Sequence, residues 1–162
     1  MEGTAKPSRA TWFVLWAAFT AAPILYGFVA TFVAGTVTVA PTLATMRLAF
    51  AALALVQVAG GAFLLTRAPR MRGGEPGLAG FFGNDSLATP EAFQLGFVVA
   101  TALVEACAVL GFVLVFFGGS VIEYVPFGIA SVAVMVAVGL PTGLRYWDAR
   151  EQADAGSRSP IE

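Results

Sequence analysis

The sequence predicts an all-α integral membrane protein: a four-helix bundle built from two tandem transmembrane helical hairpins. Three observations carry this. Hydrophobic residues make up 58 % of the chain and charged residues only 12 %, with a mean hydropathy of +0.81; a soluble domain has roughly 45–50 % apolar and 25 % charged residues. Four apolar stretches reach the length of about 20 residues that a helix needs to cross a bilayer. Eight of the nine Lys and Arg residues lie outside those stretches or at their ends.

The first stretch, 11–35, "TWFVLWAAFTAAPILYGFVATFVAG", follows a short basic arm with Lys6 and Arg9. Its apolar run is too long for the core of a secretory signal, so it reads as a span although "AFTAAP" resembles a cleavage site. Pro23 inside it removes a backbone donor and predicts a kink. The second stretch, 43–65, begins after a turn at Pro41 and contains one charge, Arg47. Together they form the first hairpin, 1–65. Residues 66–91, "TRAPRMRGGEPGLAGFFGNDSLATPE", have the Gly, Pro and charge content of a linker. The second hairpin, 92–147, joins 92–117 to 125–146 through the turn "GGSVIEYVP". Its start is marked by Thr89 as a cap, Pro90 in the first turn and Glu91 at the positive end of the helix dipole. The tail, 148–162, is polar, mixed in charge and predicted to be disordered.

Neither short hairpin turn carries Lys or Arg. The positive-inside rule therefore puts both termini and the linker in the cytoplasm of a multi-pass protein of the cytoplasmic (inner) membrane, with Glu123 outside. Trp12, Tyr146 and Trp147 fall at the depth of a cytoplasmic aromatic belt. Gln57 and Gln94 read as polar groups that bond across helices or sit near the interface.

Glu105 stands inside the third apolar run. At about 1.5 Å of rise per residue it lies about 20 Å along its helix, near the middle of the bilayer. An ionised acid there costs about 2.5–3.5 kcal/mol on insertion scales, so it must be protonated, paired or wetted. Two readings follow. Glu105 binds and releases a proton or cation, or it makes a structural contact between helices. Arg47 is the possible charge partner; its long side chain either reaches inward to Glu105 or snorkels outward.

Setting 13–37 against 97–121, at an offset of 84, matches 10 of 25 positions, among them Gly27, Phe28, Val29 and Phe32. That suggests a duplicated hairpin in which Ala21 occupies the place of Glu105. Each half has an even number of spans, so the copies share one topology and are not an inverted repeat. On these residues, "ALVEACAVLGFVLVFF" resembles the carboxylate-bearing helix of the proteolipid c subunits of rotary ATP synthases, and "PILYGFVATFV" resembles the stretch that follows that acid. The resemblance implies a hairpin whose embedded acid, here Glu105, exchanges a proton or sodium ion. The second stretch departs from that pattern, with alanines and one glycine pair in place of a regular glycine period. The chain also resembles small four-helix bacterial membrane proteins without assigned function.

Other chemistry finds no residues to carry it. There is no histidine, the commonest general base and metal ligand, and the single cysteine, Cys107, reads as a buried packing residue. No nucleophilic triad, phosphate loop or metal-ligand spacing occurs, which predicts no enzyme, cofactor or metal site. A net charge of −1 and a pI near 5.4 predict no nucleic-acid partner. The expected partners are the lipid bilayer and either further copies of the chain or a larger membrane complex.

Overall fold

The computed structural model describes residues 7–70 and 87–156. All regular structure among them is helical. Four rods, each long and apolar enough to cross a membrane, follow in chain order. Helix α1 spans Arg9–Val33 and α2 spans Leu43–Arg67, extended by a 3-10 turn at Ala68–Arg70. Helix α3 spans Pro90–Phe116. The fourth rod is α4, Val121–Val134, continued through a π turn, Met135–Gly139, into α5, Leu140–Gly156.

Local chemistry sets the ends. Ser8 caps α1, its hydroxyl accepting from the Thr11 N–H at 3.2 Å, and Thr89 caps α3, accepting from Ala92 N–H at 3.3 Å. Pro90 then occupies the first turn of α3, where its missing donor costs nothing. Pro23 does not interrupt α1. The π turn precedes Pro141: widening the helix to i→i+5 bonding at Met135–Leu140 accommodates a residue that lacks an N–H and crowds the preceding turn.

Helix α3 is the central rod, packed against α1, α2 and α4. Helix α1 packs on α3 and α4, whereas α2 lies chiefly on α3. Helices α1 and α2 follow one another in the chain and each packs on α3, so the expected first hairpin is not confirmed as a packed pair. Small residues decide where backbones meet. A Cβ on Gly61 of α2 would come within 2.4 Å of Val104 Cγ2 and 3.1 Å of the Ala100 carbonyl oxygen, so this contact with α3 requires glycine. At the same end of the bundle, Gly143 of α5 leaves a notch for Trp12.

The two ends of the bundle differ. At the end holding the start of α1 and the end of α2, an aromatic core joins Trp12, Phe93, Phe97, Tyr146 and Trp147. Tyr146 stacks on Phe93 with ring centroids 3.8 Å apart and donates its hydroxyl to the Ala88 carbonyl at 2.9 Å. The aromatic belt is therefore corrected in orientation. Trp12 is 1 % exposed: these rings turn into the core because the Gly143 notch and the Phe97 face complement Trp12 better than an open surface would. The tail is corrected too. It stays helical through Gly156, held to the start of α1 by Arg9, which pairs with Asp148 at 3.1 Å and Glu151 at 3.2 Å. The core of the expected linker, 71–86, and the last tail residues, 157–162, lie outside the described residues.

At the opposite end the connections 34–42 and 117–120 dock on each other. Ala40 N–H donates to the Phe117 carbonyl at 3.0 Å. Gly118 sits at φ +87°, and a Cβ there would meet Val39 Cα at 2.5 Å, so both its conformation and its surroundings demand glycine. The unequal connections and the different packing of α2 and α4 leave the two halves unlike, and the structure lends the repeat no support.

Candidate functional site

Glu105 lies midway along α3, on the side that meets α1. Its Oε1 accepts a hydrogen bond from the Tyr26 hydroxyl at 2.6 Å, and the residue is half-buried. Tyr26 is aimed by its ring, which stacks on Phe112 of α3 with centroids 5.7 Å apart. Phe112 and Glu105 lie two helical turns apart on α3, so one face of that helix holds both ring and hydroxyl of the tyrosine. Ala21, aligned with Glu105 in the sequence comparison, sits on the exposed face of α1.

Arg47 does not reach Glu105. Its Nε and Nη2 donate to Glu123 Oε2 and Oε1 at 2.8 and 2.6 Å, a bidentate fork that ties α2 to α4 at the end carrying the short connections. The expected partnership is corrected, and depth explains it. Counted from the end of the bundle that holds the short connections, Arg47 is one turn into α2 and Glu105 about three turns into α3; a guanidinium extends more cheaply toward the exposed end than toward apolar surroundings. Glu123 is 21 % and Arg47 50 % exposed. Among the described residues no ion pair involves Glu105.

Glu123 has a second task. Its Oε1 accepts from the Ser120 N–H at 3.2 Å, the carboxylate half of a capping box at the start of α4. The Ser120-x-x-Glu123 spacing is visible in the sequence, but starting the fourth span at 125 hid it. Tyr26 was also missed as a site residue. Its signal was available: of three tyrosines in the chain, Tyr26 and Tyr124 fall within apolar helices, where a hydroxyl must find a partner.

Pro23 enters the site indirectly. It is fully buried, and its carbonyl accepts a bond from the Tyr124 hydroxyl, which locks α4 onto α1 one turn from Tyr26. Farther along, Trp16 Nε1 donates to the Met135 carbonyl at 2.9 Å, placing the π turn against α1. Cys107 is buried as expected, its thiol 3.7 Å from the Phe127 carbonyl. Gln57 Oε1 is buried and no donor among the described residues reaches it, so of the two readings of this residue the cross-helix bond is not made through that atom.

Chemically, the Glu105–Tyr26 pair can hold either charge state of the acid. A phenol donates to a carboxylate, and its oxygen accepts from a protonated carboxyl. Comparison of the chain with models of known families, with characterised proteins and with solved structures gives no match.

Proposed function

We propose that the chain is a four-span protein of the cytoplasmic membrane, with both termini inside, and that Glu105 is a carboxyl that exchanges a proton or cation near the middle of the bilayer. One observation carries this reading: the acid sits mid-helix, bonded to the Tyr26 hydroxyl at 2.6 Å and with no cationic side chain among the described residues paired to it. An ionised acid in such a place costs about 2.5–3.5 kcal/mol without a counter-charge, so it is poised to take up a proton or a cation. Arg47, the residue best able to neutralise it permanently, is engaged by Glu123. A single four-helix bundle encloses little room for a path, so the exchanging unit is an oligomer or a larger membrane complex.

A second reading has its own support. The Tyr26–Glu105 bond joins α1 to α3, and the Arg47–Glu123 pair joins α2 to α4. Both are ties between rods, which suits an assembly protein that transports nothing.

Carbodiimide labelling of the protein in lipid, between about pH 5 and 9, separates the two. Exchange predicts modification at Glu105 that vanishes in Glu105→Gln, together with proton or cation flux in liposomes that the same variant loses. A folded protein that resists labelling across the range and supports no flux refutes exchange and leaves the structural tie.

A further inference from the structure

We infer a binding site for the phosphate-bearing headgroup of an anionic phospholipid in a hollow of about 600 Å³ at the end of the bundle where α2 stops and α5 passes. Arg67 and Arg70, from the end of α2 and its 3-10 turn, and Arg145 of α5 all line it, with Thr142 among them. Among the described residues no carboxylate lines the hollow. The ion pairs of this end, among the same residues, engage Arg9 and Arg150 instead, with Asp148, Glu151 and Asp154. Three arginine residues thus line one cavity whose described lining holds no acid. That is the donor arrangement that phosphate oxygens fit, because each planar fork can give two parallel N–H bonds.

The position selects a lipid over a soluble anion. Arg67 is the last residue of a helix long and apolar enough to span, and its guanidinium lies over the Phe63 ring at 5.4 Å. Phe63, one turn inward, is 44 % exposed. A phosphate seated among these arginines therefore lies where an apolar helix long enough to span ends, at the depth of a lipid headgroup. Pro69 and Leu87 complete an apolar rim. The end that carries these arginines is the one assigned to the cytoplasmic leaflet, where anionic lipids draw basic side chains to the surface. The inference rests on the proposed orientation, with this end in the cytoplasmic leaflet, and not on Glu105.

Native mass spectrometry of the purified full chain with added phosphatidylglycerol or phosphatidylcholine tests it. Two variants matched in charge are compared, Arg67→Gln/Arg145→Gln in the hollow and Arg9→Gln/Arg150→Gln outside it. Phosphatidylglycerol should be retained in preference to phosphatidylcholine, its affinity falling about tenfold or more in the first variant and less than about twofold in the second. Equal losses in both variants reduce the effect to bulk charge and overturn the site. Equal retention of both lipids does the same, as does inorganic phosphate binding with the same variant dependence while neither lipid is retained. If the glutamine pair does not fold, Arg67→Lys/Arg145→Lys keeps the charge and loses the forks. Phosphatidylglycerol affinity should then fall several-fold, and an unchanged value overturns the assignment.

Discussion

The Tyr26–Glu105 bond can be measured as a coupling energy. Tyr26→Phe removes only the hydroxyl, because the ring keeps its stack on Phe112. Glu105→Leu removes the acceptor and leaves a side chain of similar bulk. The O···O distance of 2.6 Å is short for a hydroxyl donor and lies in the charge-assisted range. Side-chain bonds between spanning helices average about 0.6 kcal/mol and reach about 1.7 kcal/mol. A short bond between half-buried groups belongs in the upper part of that interval, so the expected coupling is about 1–1.7 kcal/mol. The single variants should differ in sign. Tyr26→Phe destabilises by about the coupling energy, whereas Glu105→Leu is neutral or stabilising, since it takes an acid out of apolar surroundings. Reversible unfolding of all four proteins in mixed micelles, followed by tryptophan fluorescence, supplies the cycle. A coupling below about 0.3 kcal/mol, or a Tyr26→Phe effect just as large when Glu105→Leu is already present, would show that the tyrosine acts through packing alone and would refute the reasoning.

Two further outcomes are expected. Gly143→Ala brings a Cβ to 1.9 Å from Trp12 Cζ2, and the buried ring has nowhere to go; a loss of about 1–3 kcal/mol is expected in the same unfolding assay. Adding Trp12→Phe should recover part of that loss, and a loss that persists undiminished would show that the clash lies elsewhere. Glu123→Gln opens the fork to Arg47 and half of the α4 cap, so hydrogen exchange should rise in 34–42 and 117–121 while the amides around the Tyr146–Ala88 bond stay protected. A uniform rise along the chain would mean that this pair stabilises the whole bundle and not one end.

Much of this arrangement was legible in the residues. Mean hydropathy and the spacing of four apolar runs predict four long helices, and Thr89-Pro90-Glu91 marks the start of α3 to within two residues. Glu105 stands out because an acid in an apolar run is costly wherever the helix is placed. What it touches was not legible. Arg47 and Tyr26 can each serve as its partner, one as a charge and the other as a hydroxyl, and the sequence ranks the charge first. Packing reverses that order: α1 lies on α3 beside Glu105, and Arg47 is drawn to a nearer acid at its own end of the bundle. The tail, predicted to be disordered, differs for a related reason through Gly156. Its polar composition removes any driving force for burial, but the tail continues the fourth rod and gains ion pairs with Arg9 across the bundle.

Composition and periodicity by themselves predicted an all-helical chain, four long apolar rods and an acid inside one of them, because apolar burial and backbone hydrogen bonding act on each segment alone. Only the tertiary structure decided that α3 is central, that α1 and α2 each pack on it, and that three arginines share a hollow. Those outcomes depend on which side chains meet, and that is set by notches such as Gly61 and Gly143 and by the distances they permit between rods.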